Sequence, residues 1–395
     1  MSENHLRSAV LLAAGFVIAG ISRGENLPEV YALRGVPSQR VTVAPGAYFP
    51  RLLLLDDGEM LATFKTGAGH VGKGGKASVS RSKDGGVTWS EPTTGFDLPD
   101  ADDSMDASTQ LKDGTVIYGA VSYSWKGEKY SFEDWRAETY ALRSKDRGQT
   151  WQPPAKVNIA PYTWAYPFGR IIEMPDGTLL MTLFAGYLPV TLRGSPADDK
   201  DDVTRRLRRL ADAKPEAQRG DFCLVVRSKD QGQTWGDPSI IARQYNEVCA
   251  MRLADGRLMA AIRSSEKGAQ LDVTFSSDNG YHWSAPESLT RNQEHPADLL
   301  QLRNGDILLS FGERNKPYGV QAMISRDQGR TWDRNNRYIL AWDGDHGDLG
   351  YPVTVERKDG KLVTIYYIVY GTEGRFQMVG NAPAGAFTKA VIWER

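Results

Sequence analysis

Six short segments of this chain each gather side chains able to do acid–base or covalent chemistry. They are Tyr48–Arg51, Asp102–Asp106, Tyr166–Arg170, Asn246–Glu247, His295–Asp298 and Asp348–Tyr351. Four of them place an aromatic or imidazole residue directly before proline: Phe49-Pro50, Tyr166-Pro167, His295-Pro296 and Tyr351-Pro352. Brought together, these carboxylates, phenols, arginines and an imidazole suit sugar chemistry, because cleaving a glycosidic bond takes an acid paired with a base or nucleophile. Glu247 stands where the other segments carry an aromatic or small residue. A lone carboxylate there is costly unless paired, so Glu247 is either catalytic or half of an ion pair. Arg263 lies sixteen residues on, beyond Gly256. It can return along a hairpin to meet Glu247 or an anionic substrate group, or close an interior salt bridge. Tyr351 is a candidate catalytic residue, although Tyr is also a common strand residue. His295 and Asp298 share one segment, with a direct and a structural role both open. His and Cys never fall at metal-ligand spacing, and no cofactor is implied.

What must position these residues is a double repeat. Six glycines, Gly58, Gly114, Gly177, Gly256, Gly305 and Gly360, each sit between two apolar runs, spaced 56, 63, 79, 49 and 55 residues apart. Each marks a strand–turn–strand hairpin. Interleaved with them is an eight-residue phrase, S-x-D-x-G-x-[TH]-W, at Ser82–Trp89, Ser144–Trp151, Ser228–Trp235, Ser276–Trp283 and Ser325–Trp332. Its Asp can accept backbone N–H groups further along and close an Asx-type turn. Its Gly can take positive φ, and its Trp buries a large ring. A repeat at a period of tens of residues means a stacked or radial architecture. Each hairpin plus the strands that follow makes a unit of about four strands. The expectation is an all-β chain, a six-bladed β-propeller of four-stranded antiparallel blades. The sixth unit lacks the phrase; its outer strands are expected at Arg375–Val379 and Ala390–Glu394, with Arg40–Ala44 closing the ring. The six segments above then become the starts of the innermost strands, converging in one central cup.

Composition agrees. The 395 residues include 40 glycines, 17 tyrosines and 10 tryptophans, as many short strands and tight turns require. A net charge of −1 without a basic block argues against nucleic acid or a membrane surface as partner. Ala9–Ile21 is a short apolar run after Arg7, too short to span a bilayer comfortably. It fits a signal peptide over residues 1–24, and the mature protein is expected to be secreted or periplasmic. The propeller then occupies residues 40–395, with an insertion at about 186–220. There Val203, Leu207 and Leu210 fall at helical spacing, which makes the insertion either a gate over the cup or a surface elaboration. Cys223 and Cys249 lie in expected strands, as a disulfide or as two buried thiols.

The five phrases resemble the Asp boxes of the sialidase superfamily. With the six hairpins, the resemblance to its six-bladed propeller covers roughly residues 40–395. Asn246-Glu247 with Asp255-Gly256-Arg257 and Arg263 is similar to the segment that carries that family's Glu and second Arg. Gly350-Tyr351 with Asp359-Gly360-Lys361 and Tyr366-Tyr367 is similar to its nucleophile-Tyr segment. The resemblance implies that Tyr351 is the nucleophile, that Glu247 takes its proton, and that hydrolysis proceeds with retention. It also implies an arginine clamp for a substrate carboxylate. Arg263 matches its second member and Arg314 its third, a few residues early. At the first position stands Tyr48; Arg51 follows the proline instead, a three-residue displacement that reverses the face along a regular strand. The family's general acid, an Asp before the first Asp box, has no counterpart: residues 60–83 contain no carboxylate. The proton donor is then sought in Asp106, Asp298 or His70. Tyr166, Arg170, His295 and His70 complete the expected substrate contacts. The partner implied is a glycan or glycoconjugate. Three functions are compatible: a secreted exo-sialidase, an exo-glycosidase for another terminal sugar (arabinose, a deoxysugar or a uronic acid), and a non-catalytic carbohydrate-binding propeller.

Overall fold

A computed structural model describes residues 32–127, 135–186, 221–265, 268–371 and 385–395. The expected leader at 1–24, almost all of the 186–220 insertion and the expected strand at 375–379 lie outside these residues. Within them every regular element is a strand.

The chain opens with β1 (Ala32–Gly35) and β2 (Ser38–Pro45). A four-stranded sheet follows, with β3 (Tyr48–Leu54), β4 (Met60–Thr66), β5 (Lys76–Ser82) and β6 (Thr93–Phe96) in sequence order. Next come β7 (Ala101–Gln110), β8 (Val116–Ser124), β9 (Arg136–Ser144) and β10 (Ala155–Lys156), then β11 (Trp164–Glu173), β12 (Leu179–Gly186), β13 (Phe222–Ser228) and β14 (Gly236–Arg243). After these, β15 (Tyr245–Arg252), β16 (Leu258–Ser264), β17 (Leu271–Ser276) and β18 (Glu287–Ser288) form a sheet of their own. The chain continues through β19 (Glu294–Gln301), β20 (Ile307–Glu313), β21 (Gly319–Ser325) and β22 (Asn336–Ala341), to which β1 adds in parallel. It ends with β23 (Leu349–Glu356), β24 (Leu362–Val369) and β25 (Ala386–Trp393). β2 pairs antiparallel with β25, so the segment around Arg40–Ala44 completes the last sheet and ties the two ends of the chain together.

The result is an all-β, propeller-like fold. Among the described residues the hydrogen-bonded sheets number five, where six separate blades were expected. The reason is local. β7–β10 and β11–β14 are two antiparallel runs fused into one eight-stranded sheet, because Gly169 and Arg170 of β11 pair in parallel with Ala107 and Ser108 of β7. The first strands β3, β7, β11, β15, β19 and β23 pack each against the next, and β23 packs against β3.

The repeated phrases act as expected and do more. In each, the Asp accepts the amide of the residue four positions on at 2.8–2.9 Å. Its second oxygen takes that residue's hydroxyl, or in the fourth phrase meets the His282 imidazole. The Ser oxygen accepts the Gly amide. These glycines also touch the preceding unit. A Cβ on Gly232 would meet Ile117 at 2.6 Å, and one on Gly329 would meet Met259 at 2.3 Å. The Trp rings follow: Trp235 packs with Ile117 and Leu179, and Trp332 with Met259 and Leu309. Each phrase thus staples its unit to the one before. Cys223 and Cys249 are both buried thiols.

Candidate active site

The first strands share one irregularity that sequence patterning could not supply. All six lose register near their starts, between Tyr48 and Arg51, Met105 and Ala107, Pro167 and Ile171, Asn246 and Cys249, Glu294 and Ala297, and Gly350 and Val353. Extra residues of this kind bend a strand and re-aim a side chain. Three of the bulged residues are non-glycines at positive φ: Phe49 at 51°, Glu247 at 40° and Tyr351 at 52°. Such strain persists only where the surroundings impose it, and it clusters at functional sites.

Glu247 and Tyr351 meet. The Tyr351 hydroxyl donates to Glu247 Oε1, and Arg263 Nη1 donates to Glu247 Oε2 at 2.7 Å. The hairpin delivers Arg263 as expected, since Asn246 pairs directly with it. Burial pushes the Glu247 carboxyl up, but the Arg263 and Arg314 charges and the two hydrogen bonds outweigh it and hold the group below its ordinary value. Burial and the Glu247 charge push the Tyr351 phenol well above its ordinary value. The resting pair is therefore a neutral phenol against a carboxylate able to receive its proton.

Arg314 follows β20, its amide donating to Gln293 O at 3.0 Å. Its charge acts on Glu247, Tyr351, His295, Asp348 and Tyr367. His295 is buried with Nδ1 3.9 Å from Glu247 Oε2. Burial, then the Arg314 and Arg263 charges, push its pKa far down, so the ring is neutral. Arg263 and Arg314, with the neutral His295 beside them, form one cationic side of the cup.

Arg51 corrects the face expected of it. Tyr48 pairs with Lys65 and Arg51 with Thr63, so the bulge makes three residues count as two and both side chains point the same way. Arg51 does not open into the cup, however. It is 2 % exposed, its Nε donates to Asp106 O at 2.7 Å, and its guanidinium lies 4.0 Å from the Phe168 ring centroid and 5.9 Å from that of Tyr351. It braces the floor beneath Tyr351.

The expected acids are occupied. Asp106 is fully buried and accepts from the Ser104 hydroxyl, which in turn receives Tyr166 OH at 3.1 Å. Burial pushes Asp106 up, against the pull of the Arg51 charge. Asp298 takes Arg170 through both oxygens, at 3.2 and 2.8 Å, and also the Thr354 amide at 2.9 Å. Arg170 is spent there and on the Leu299 and Thr354 carbonyls. Asp298 and Arg170 are thus a pair linking three first strands, away from Glu247.

His70 meets a partner the sequence did not single out. Its Nε2 lies 2.9 Å from Asp348 Oδ1, and Tyr367 OH donates to the same oxygen at 2.7 Å. Burial raises the Asp348 carboxyl, but the hydrogen bonds and charges of His70, Tyr367 and Arg314 bring it below its ordinary value. The Phe49 ring lies 4.8 Å from His70 and 4.9 Å from Tyr351. Lys65, also not anticipated, pairs with Asp102 at 2.5 Å and donates to His70 O at 2.7 Å. Opposite, Tyr166 stacks on Phe184 at 5.0 Å and Tyr123 on Trp135 at 5.1 Å, giving an aromatic side. Asp348 and Tyr367 stood inside segments the sequence marks; Lys65 had no signal beyond following an inner hairpin strand. Among the described residues no group of three or more His, Cys, Asp or Glu side chains is arranged to hold a metal.

Comparisons with known proteins bear on the fold and the family. The family model described as a BNR repeat-like domain matches residues 127–364. A sialidase of Bacteroides fragilis (strain YCH46) is 24% identical over 296 residues, covering 66% of this chain and 49% of that protein. The chain thus spans about half the length of that curated relative. Among solved structures, a protein of Dyadobacter fermentans DSM 18053 superposes with a TM-score of 0.72 at 23% identity, covering 91% of this chain and 100% of that one. A Hadza microbial sialidase gives 0.64 at 19%, covering 88% and 66%. Trypanosoma rangeli sialidase in complex with the inhibitor DANA gives 0.61 at 13%, covering 90% and 60%. At these identities the superpositions establish the shared fold. With the family model spanning more than half of the sequence, the chain belongs to the BNR repeat-like domain family, within the sialidase superfamily.

Proposed function

We propose that this protein is an exported exo-glycosidase that removes a terminal, anionic sugar from a glycan, with retention, on a six-bladed propeller. The observation that carries the reading is the buried contact of Tyr351 with Glu247, with Arg263 on the second carboxylate oxygen. A neutral phenol approaches an anionic sugar without charge repulsion, and the ionised Glu247 takes its proton as the Tyr351 oxygen bonds to the anomeric carbon. Arg263 and Arg314 flank that point and suit a substrate carboxylate. The six-blade count rests on the closed sequence of first strands, with the eight-stranded sheet read as two blades.

A second reading is a relative acting on a neutral terminal sugar. One observation favours it: Arg51 is committed to Asp106 and the Phe168 ring, which leaves two arginines for a carboxylate.

The test is hydrolysis of fluorogenic glycosides: a sialoside, a glucuronide, an arabinofuranoside, a rhamnoside and a fucoside, each with wild type, Glu247→Gln and Tyr351→Phe. Release from an anionic glycoside, lost in both variants, is the expected result. Release from a neutral glycoside alone selects the second reading. Silence on every glycoside counts against the enzyme and in favour of a binding propeller.

A further inference from the structure

We infer that His70 is the catalytic acid/base that protonates the departing glycosidic oxygen, with Asp348 as its positioning residue; the inference rests on the glycosidase reading above. The carboxylates at the strand starts are otherwise engaged. Asp106 is fully buried beneath Arg51 and Ser104. Asp298 is held by Arg170 and the Thr354 amide. Asp102 is held by Lys65 and the Gly72 amide, and Asp103, also buried, accepts the Leu98 amide. Asp348 accepts from both His70 and Tyr367, so it stays ionised and is not itself the donor. Of the two imidazoles nearest the nucleophile, His295 is neutral and 1 % exposed, whereas the His70 side chain is 14% exposed. His70 and the Tyr351 phenol lie against the same Phe49 ring, so a sugar above that ring reaches both.

The Asp348 contact fixes the imidazole. With Nε2 bonded to the carboxylate, the second proton of the imidazolium sits on Nδ1. Other groups facing this ring are Tyr48 and Phe49 on β3, Lys65 on β4 through the His70 carbonyl, and Tyr367 on β24. His346 accepts the Asp348 amide, and Arg314 acts on Asp348 from the far side.

The steps balance. The C1–O bond to the leaving group breaks as the Tyr351 oxygen bonds to C1. The phenol proton passes to Glu247, and the His70 Nδ1 proton passes to the leaving oxygen. Water then attacks C1, returning a proton to His70 as its oxygen bonds to C1, and Glu247 reprotonates Tyr351 as the C1–O(Tyr351) bond breaks.

The experiment uses the sugar found in the glycoside panel as two probes, a 2,4-dinitrophenyl glycoside with a good leaving group and a methyl glycoside with a poor one. His70→Gln should lower kcat/KM on the methyl glycoside by about 10²–10⁴-fold and on the dinitrophenyl glycoside by less than about tenfold. It should also flatten the basic limb of the pH profile on the methyl glycoside. Asp348→Asn, shown by ¹⁵N spectra to fold like the wild type, should lower kcat/KM on the methyl glycoside by a larger factor than on the dinitrophenyl glycoside. Equal losses on both probes in either variant, or an unchanged basic limb in His70→Gln, would overturn the assignment. If instead Tyr351→Phe retains full activity on both probes, the Tyr/Glu reading fails while the His70 result stands on its own. A wild type silent on both probes overturns the glycosidase reading and the His70 role together.

Discussion

The rim of the molecule and its axis are built by opposite rules. At the rim, five Asp boxes repeat one circuit. The Asp oxygens and the Ser hydroxyl of each are satisfied within eight residues, and each Gly and Trp leans on the preceding unit. At the axis, six strand starts share a bulge and little else. They hold strained non-glycine residues, and buried polar atoms there have no partner: Arg51 Nη2, Asp106 Oδ1, Arg263 Nε, His295 Nδ1 and Arg314 Nε. Unpaired buried groups are costly and call for an explanation. A repeated unit can be stabilised in one way many times over; chemistry resides where the repeats stop agreeing.

That contrast breaks if an axial change costs stability more than activity. Tyr351→Phe keeps the ring against Phe49, Phe168 and Tyr367 and removes only the hydroxyl. It should lower kcat by about 10³-fold or more, as loss of a nucleophile requires. The melting temperature should move by no more than about 2 °C, since one hydrogen bond to a carboxylate is lost while Arg263 still holds Glu247. Kinetics paired with thermal melts decides. A large drop in Tm with modest loss of kcat would make Tyr351 a structural residue.

A smaller effect sharpens the electrostatics. Burial drives Glu247 up, and Arg263 is the leading charge pulling it down. In the proposed mechanism Glu247 takes a proton only when ionised, so the acid limb of kcat/KM should lie below the ordinary Glu value. In Arg263→Met the carboxyl rises, ionisation needs a higher pH, and the acid limb should shift upward by about one unit or more. A limb that stays in place would detach Arg263 from the base. The same reasoning gives His295 no limb in the working range, because its pKa is pushed far down between two arginines.

How much of this was legible in the sequence follows from the same division. The hairpins, the boxes and the closing strand around Arg40–Ala44 could be read because each depends on local turn chemistry or on alternation. The Glu247–Arg263 meeting was legible for a related reason: a hairpin with a known turn fixes which residues pair. The orientation of Arg51 was not, because a bulge is an insertion relative to a partner strand and leaves no mark in one strand alone. Nor was the His70–Asp348 pair, whose members lie 278 positions apart and meet only because the ring closes. The fusion of two four-stranded runs into one sheet was hidden for the same reason. It depends on Gly169 and Arg170 pairing in parallel with Ala107 and Ser108 of a strand more than sixty residues earlier.

The smallest expected effect tests the rim. In the first box, desolvation raises the Asp84 carboxyl, but the hydrogen bonds from Thr88, Ser82 and Val87 together outweigh it and hold it down at about 2. A carboxylate lowered on folding contributes stability that is present in full above its ordinary pKa and is lost as pH falls through the folded value. The window is therefore from about pH 4 down to about pH 2. Asp84 is exposed, so solvent screens the contribution. Asp84→Ala should lower Tm by only about 1–2 °C at neutral pH, and the wild-type and variant curves should converge as pH approaches 2. Turnover of the best glycoside should be unchanged, since the box faces Val363 and Arg357 of the last unit and not the cup. Scanning calorimetry from pH 7 to 2 measures the first part and a rate assay the second. A variant that folds normally but loses turnover would mean that a box reaches the axis, and the separation of rim from axis would fall.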